Sequence, residues 1–364
     1  MKLQVTQENL NRALNAVARV ANTRGTLPIL ANVLVKTSNN RLSISATNLD
    51  IAITHFTGAK VSEEGSITVP ARLMQDFVSS LPDGVISLEL EDSKLHVTTD
   101  QYKSVVNGIL ADDFPVMPAI TTGKSWTVDG APFKKALQQV VFAASSDETR
   151  PILTAVLLQT IDGQLYMAST DSYRLAEKKL GKNAEDVHLL IPASALQDLL
   201  RVLGDADAPV EVTHDDQQVL FKVGDIELVT RLVDGKYPDY RKLIPASFDT
   251  EATLKRADLV NVTKVSSLFA RESAGSVTIE IDEAKQQLSI RSVASQLGEN
   301  TATAEAKVTG SGSITLNSRY LLDALSALPA TETVSFGFNG KLEPTLLHDA
   351  SNGDYQHVIM PLKS

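Results

Sequence analysis

Apolar residues recur at helical spacing in Leu10, Ala13, Leu14 and Val17, and again in Phe133, Ala136, Leu137 and Val140, so each segment presents one apolar stripe to a core. Apolar and polar positions alternate instead over Asn32–Thr37 with Arg41–Ala46, and over Ala155–Thr160 with Gln164–Ser169, the period of strands with one buried face. Asp162-Gly163 between the latter two is a hairpin turn signal. Second helices begin after Pro70, Pro192 and Asn317. Further alternating runs close the units, Val85–Leu90 with Lys94–Thr99 and Val210–Thr213 with Val219–Val223. The pattern predicts six helices, over 6–20, 71–81, 131–145, 194–203, 255–271 and 318–328. Two helices against antiparallel sheet make an α+β unit.

The unit occurs three times. Thr26-Leu27-Pro28-Ile29-Leu30 returns 123 residues later as Thr149-Arg150-Pro151-Ile152-Leu153. The same shift pairs Val5 with Val128, Val33 with Val156, Thr47 with Thr170, and Phe114-Pro115 with Tyr237-Pro238. A second landmark starts at Val69, Ile191 and Leu316. The third copy has diverged most, and its closing strand is expected to end at Met360-Pro361. Linker-like stretches with Pro and small polar residues lie near Met117–Ser125 and Ile244–Thr253. Three domains are therefore expected, over 1–119, 126–246 and 251–364.

Composition narrows the chemistry. The 364 residues include no cysteine, which excludes disulfides, thiolate metal sites and a cysteine nucleophile and is compatible with a cytosolic compartment. Neither a signal peptide at the first residues nor an 18-residue apolar span is visible. The net charge is −10, yet the six expected helices carry eleven Lys and Arg against five Asp and Glu. Arg12, Asn15 and Arg19 share one helix face, as do Lys135 and Gln138, and Lys264, Ser267 and Arg271. Each face alone is more readily an ordinary solvated surface. The same bias in three repeats, against an acidic remainder, suits loose contact with phosphates that reads no bases.

Four separated segments carry a family resemblance: Thr26 to Leu30, Thr170-Asp-Ser-Tyr-Arg-Leu-Ala176, Leu232-Val-Asp-Gly-Lys-Tyr-Pro-Asp-Tyr-Arg241, and Val358 to Leu362. In order and in repeat number the whole chain resembles the bacterial DNA polymerase III beta subunit, the sliding clamp. The resemblance implies a head-to-tail homodimeric ring, with helices lining the hole, that encircles duplex DNA without sequence specificity. It implies tethering of the replicative polymerase's catalytic subunit, with a clamp loader and other replication and repair proteins as further partners, no cofactor, no membrane, and a cytoplasmic, nucleoid-associated location. Six helices spaced ~9 Å apart close a ring only ~17 Å across, too narrow for a duplex inside it; twelve leave an opening of roughly 24 Å. Two chains are thus needed, and a cyclic arrangement closes by symmetry.

Carried over residue by residue, the family's peptide-binding pocket matches Leu153, Thr170, Ser172, Tyr173, Arg174, Leu175, Pro238, Lys242, Leu243, Leu342, Pro344, Val358, Ile359, Met360, Pro361 and Leu362. An apolar groove with a few polar anchors suits a short linear motif, typically a Gln followed by Leu and aromatic residues. The chain departs from the family in reading Ser172-Tyr173 for the usual Gly-His, and Lys242 for a common Arg. The dimer interface falls on Phe77, Val106, Leu268 and Phe269. DNA contacts fall on Arg24 and Arg150, which occupy equivalent repeat positions near a family DNA-contact region.

Signs of catalysis are absent from the sequence. His55, His96, His188, His214, His348 and His357 form no metal-binding spacing, and no nucleophile elbow, phosphate loop or dinucleotide fingerprint occurs. The acid Asp171 has Asn48 as its repeat twin, which favours a turn role. Two other readings of the residues stay open: a peptide-binding scaffold without DNA, and an enzyme whose site is assembled across repeats.

Overall fold

The computed structural model describes residues 1–21, 27–120, 122–204, 208–296, 298–328 and 331–363. All six expected helices form: α1 Gln7–Val17, α2 Ala71–Ser80, α3 Gly130–Val140, α4 Ala193–Val202, α5 Arg256–Phe269 and α6 Ser318–Ser326. The Thr6 hydroxyl caps α1 by accepting the Asn9 N–H, and Asn317 caps α6 through the Arg319 N–H, each satisfying a donor the helix cannot. Leu10, Leu14 and Val17 of α1 are fully buried, each stabilising the fold by roughly 1.5–3 kcal/mol.

Each helix ends before the last residue expected for it, α1, α3 and α5 among them. The first, expected to residue 20, ends at Val17, and Val20 reaches the core through a tight turn, its N–H donating to the Val17 carbonyl at 3.1 Å. The α3 spiral tightens into a 3-10 turn at Val141–Ala143. Beyond α5, Arg271–Ser273 is 3-10 and Ala274 takes a left-handed φ of 54°, which no helix continues through. Arg19 and Arg271 therefore stand beyond the helices expected to carry them.

The chain divides into two compact units, 1–131 with 197–232, and 132–196 with 233–364. Each unit combines strands of successive repeats. The first holds a five-stranded sheet in the order Lys60–Glu63, Lys2–Thr6, Val85–Glu91, Lys94–Thr98, Lys103–Asn107. It also holds an eight-stranded sheet in the order Lys124–Val128, Val210–His214, Gln218–Val223, Ile226–Arg231, Ile51–Gly58, Arg41–Thr47, Asn32–Ser38, Ser66–Pro70. Here Ile226–Arg231 of the second repeat pairs antiparallel with Ile51–Gly58 of the first, Ile226 opposite His55 and Thr230 opposite Ile51.

The second unit repeats the device. Its nine-stranded sheet runs His188–Pro192, Ala155–Ile161, Gln164–Thr170, Arg174–Lys182, Asn352–Ile359, Thr345–Asp349, Thr333–Phe338, Thr250–Lys255, Lys307–Thr309, and its four-stranded sheet runs Gly298–Glu305, Gln287–Ala294, Ser276–Asp282, Gly312–Asn317. The joint between repeats pairs Arg174 with Ile359 and Lys178 with Tyr355. The third repeat's helix α5 differs from its counterparts in burying small polar groups. The Thr263 hydroxyl donates to the Leu259 carbonyl at 2.6 Å, and Ser266 accepts from the Asn300 amide at 3.0 Å, linking the helix to the edge strand Gly298–Glu305.

Candidate functional site

The residues expected to form a groove lie in the second unit, around the joint between the strands Arg174–Lys182 and Asn352–Ile359. Its floor is an apolar cluster that includes Leu175, Val358, Tyr237, Tyr240 and Leu346, with Ile152, Val233, Ile244 and Phe248 packed against it. Leu153, Thr170 and Ile359 are buried beside it. Met360, Pro361, Leu362 and Pro344 are half-buried, and Ser172, Pro238 and Lys242 are exposed. Tyr173, Leu243 and Leu342 are large apolar side chains left 58%, 47% and 66% exposed, an uneconomical surface unless something covers them.

A turn shapes one wall. The Asp171 carboxylate accepts the N–H groups of Tyr173 and Arg174, both at 2.9 Å. The Thr170 hydroxyl donates to the Arg174 carbonyl at 2.6 Å and accepts the Ser172 N–H at 3.1 Å. Ser172 sits at φ 78°, a left-handed conformation that glycine adopts without cost. Asp171 is thus a turn-former. The Tyr173 carbonyl accepts the Met360 N–H at 2.8 Å, extending the strand joint into the groove.

Arg174 anchors this wall from within. Its side chain is 12% exposed and meets Asp171 at 3.0 Å and Asp323 at 2.6 Å. It also donates to the Phe142 carbonyl at 2.9 Å and lies over the rings of Phe142 and Tyr320. His357 stacks on Phe142 with ring centroids 5.7 Å apart, its Nδ1 2.9 Å from the Tyr355 hydroxyl. Complete burial, with the Arg174 charge adding to it, pushes the His357 pKa down to about 3. At the floor Tyr240 donates to the Glu177 carboxylate at 2.5 Å, and Arg241 donates to the same oxygen at 3.0 Å. Burial first, then the Glu177 charge, raise the Tyr240 pKa, so the phenol stays a donor. Lys242 pairs with Asp239 at 2.7 Å. Sequence reasoning missed Phe142, Glu177, Tyr240, Arg241, Tyr320 and Asp323. Tyr240 and Arg241 sit in a quoted family segment, whereas nothing local marks Asp323.

The expected DNA-contact residues are spread over different settings. Arg12 on α1 pairs with Glu8 at 2.6 Å. Lys135 and Lys264 are exposed on α3 and α5 and make no ion pair among the described residues. Arg19 and Arg271 are exposed beyond helix ends. Arg150 donates to Ser172 at 3.1 Å and pairs with Asp147 at 3.3 Å, tying it to the groove's turn. Arg24 lies outside the described residues.

Of the expected interface residues, Phe77 and Phe269 are half-buried and Leu268 is 50% exposed. Val106 is 6% exposed and faces its own core, while its strand neighbour Val105 is 55% exposed. Among the described residues no group of three or more His, Asp or Glu side chains could hold a metal ion, and no helix is long and apolar enough to cross a membrane.

Comparison with known proteins matches each third of the chain to one part of one family. Residues 1–118 match the N-terminal domain of the DNA polymerase III beta subunit, 127–239 its central domain and 241–363 its C-terminal domain. The chain is 32% identical to the beta sliding clamp of Synechocystis sp. over 390 residues, covering 100% of this chain and 99% of that one. It is also 32% identical to the beta sliding clamp of Synechococcus elongatus, again covering 99% of it. The DNA polymerase sliding clamp of Bacillus subtilis superposes with a TM-score of 0.95 at 27% identity, covering 100% of this chain and 99% of that one. The DNA polymerase III subunit beta of Pseudomonas aeruginosa does so with a TM-score of 0.94 at 26% identity, covering both chains completely. The three-part α+β fold is that of the sliding clamps, and the chain belongs to the beta sliding clamp family, the non-catalytic processivity subunits of DNA polymerase III.

Proposed function

We propose that two copies of this chain close head to tail around duplex DNA and hold the replicative polymerase there through the groove around Tyr173, Leu243 and Leu342. The observation that carries the ring is the sheet topology. Strand Ile51–Gly58 pairs with Ile226–Arg231, and its repeat equivalent Arg174–Lys182 pairs with Asn352–Ile359. The equivalents left over are Lys103–Asn107 in the first repeat and Gly298–Glu305 in the third, and each is the outermost strand of its sheet. An unpaired edge is a template for another strand, and two complementary edges at opposite ends of a repeat series give a heterologous contact that closes by rotation.

Carrying over the observed register sets Asn107 opposite Gly298 of the second copy and Lys103 opposite Ala302. Exposed apolar residues flank both edges: Leu73 and Val105 in the first repeat, Val265, Leu268 and Val293 in the third. Such a joint brings Phe77 and Phe269 into the contact region and leaves Val106 as its inward support. Contacts from Arg12, Arg19, Arg24, Lys135, Arg150, Lys264 and Arg271 to phosphates would be weak and independent of sequence, so retention is topological and sliding is free. The full set of groove residues carried over from the family, from Leu153 through Leu362, then receives partner peptides: exposed apolar side chains on a rigid, hydrogen-bonded turn are covered when such a segment docks.

The test is retention on DNA after loading. The protein should stay on nicked circular duplex through high-salt gel filtration and run off when the circle is cut. The Val105→Asp/Leu268→Asp variant should be lost from both forms. Equal retention on circular and linear DNA would overturn the proposal.

A further inference from the structure

The first unit contains a cavity of about 460 Å³, lined by Thr47, Leu49, Pro115, Val116, Gln218 and Arg231 among others. It lies at the joint between the strands Ile51–Gly58 and Ile226–Arg231, the equivalent in the preceding pair of repeats of the joint around which the groove residues lie. Thr47 corresponds to Thr170, Leu49 to Ser172, Pro115 to Pro238, and Val229 and Thr230 to Val358 and Ile359.

The turn is reproduced bond for bond. Asn48 takes the place of Asp171 and accepts the N–H groups of Asp50 and Ile51 at 3.0 and 2.8 Å. The Thr47 hydroxyl donates to the Ile51 carbonyl at 2.9 Å and accepts the Leu49 N–H at 3.0 Å. Leu49 has a φ of 80°, against 78° at Ser172. A bulky side chain in the left-handed region is strained, and this one is also 49% exposed. Its position is therefore imposed by the turn and is not repaid by burial. Val116 beside it is 95% exposed.

The lining also differs from the other groove in an informative way. Gln218 replaces Pro344 and Arg231 replaces Met360. The Gln218 Oε1 is buried with no hydrogen-bond partner among the described residues, an arrangement that is costly unless a donor arrives. Arg231 is exposed at the rim. The cavity thus offers an apolar wall, a waiting acceptor and a cation within a volume typical of ligand sites.

We propose that this cavity is a second peptide-docking groove. Its occupant is an extended segment of a partner protein that places an apolar side chain against Leu49 and Val116, an N–H on Gln218 and a carboxylate near Arg231. The inference rests on the reading of the first groove as a peptide site, because the two share their build. The Arg231 cation beside the Gln218 acceptor makes this groove select acidic segments.

The test is fluorescence anisotropy with an N-terminally fluorescein-labelled peptide, Gln-Leu-Asp-Leu-Phe with a free C-terminal carboxylate, added to the full-length protein. Three proteins are compared: the unaltered chain, Leu243→Asp/Leu342→Asp, and that variant with Leu49→Gly and Arg231→Glu added. Glycine suits the φ at position 49, so the turn survives the substitution. The first variant should keep binding that is roughly tenfold to hundredfold weaker, and the second should lose it. Complete loss in the first variant overturns the second groove while upholding the first. Residual binding that ignores the Leu49 and Arg231 changes also overturns the second groove. Undiminished binding in the first variant that disappears in the second upholds the second groove and overturns the first. Absence of binding to all three overturns both.

Discussion

Arg174 shows how one side chain can hold a wall of the proposed groove. Its guanidinium serves two carboxylates and a backbone carbonyl while 12% exposed. Replacing it with Met would strand Asp171 and Asp323, and breaking a buried ion pair by removing one partner costs about 3–5 kcal/mol. Urea unfolding of Arg174→Met should show a loss of that order, with weaker binding of clamp-type peptides; an unchanged midpoint would refute the role. His357 next to it makes a pH prediction. Its pKa falls from 6.5 to about 3 on folding, so the folded state refuses a proton that the unfolded chain accepts. Its contribution is complete above about pH 6.5 and is lost as the pH drops toward 3, with a slope approaching ~1.4 kcal/mol per pH unit. Stability curves of the unaltered chain and His357→Leu should converge on acidification, and parallel curves would sink the argument. Neither role was legible beforehand. Asp323 lies 149 residues from Arg174, and a histidine in an alternating strand carries no mark of its neighbours. Asp171 was legible, because its twin Asn48 can form the same turn but cannot serve as an acid.

Elements were easier to read than their assembly. Apolar periodicity located all six helices, and a constant shift located the hairpins, because both signals are local. Helix ends were misjudged where a buried residue such as Val20 is reached through a turn and not through another helical residue. The joints between repeats were hidden, since Ile226–Arg231 and Ile51–Gly58 meet across some 170 residues with nothing in either strand to name its partner. Strand alternation also decides between Val105 and Val106. Only the register against Lys94–Thr98 shows that Val106 faces inward and Val105 outward. The two open edges yield a direct prediction. Val105→Asp with Leu268→Asp should convert a species of twice 39.2 kDa into one of 39.2 kDa, measured by light scattering at micromolar concentration. Circular dichroism should not change, because both side chains are exposed and neither supports its own unit. A dimer unaffected by these changes would place the interface elsewhere.

At the scale of the whole molecule, a clamp must contact DNA without gripping it. The chain carries ten more acidic than basic residues, so long-range attraction to a polyanion is weak and any affinity must come from local cations. Those cations are not equivalent. Arg12 is already paired with Glu8 at 2.6 Å, and a phosphate must compete with that carboxylate. Lys135 and Lys264 are exposed and make no ion pair among the described residues, so a phosphate meets them uncontested. Each phosphate neutralised adds about 0.9 to the slope of log affinity against log salt. Removing both lysines should therefore flatten that slope for linear duplex by about 2, and Arg12→Ala should change it less. Retention of the loaded protein on circular DNA should survive all three substitutions, because a closed ring leaves only by opening. If losing Lys135 and Lys264 released the protein from circles as readily as from linear DNA, affinity and not topology would be holding it. The two measurements separate those forces: the salt slope reports contacts with phosphate, and the circle reports closure.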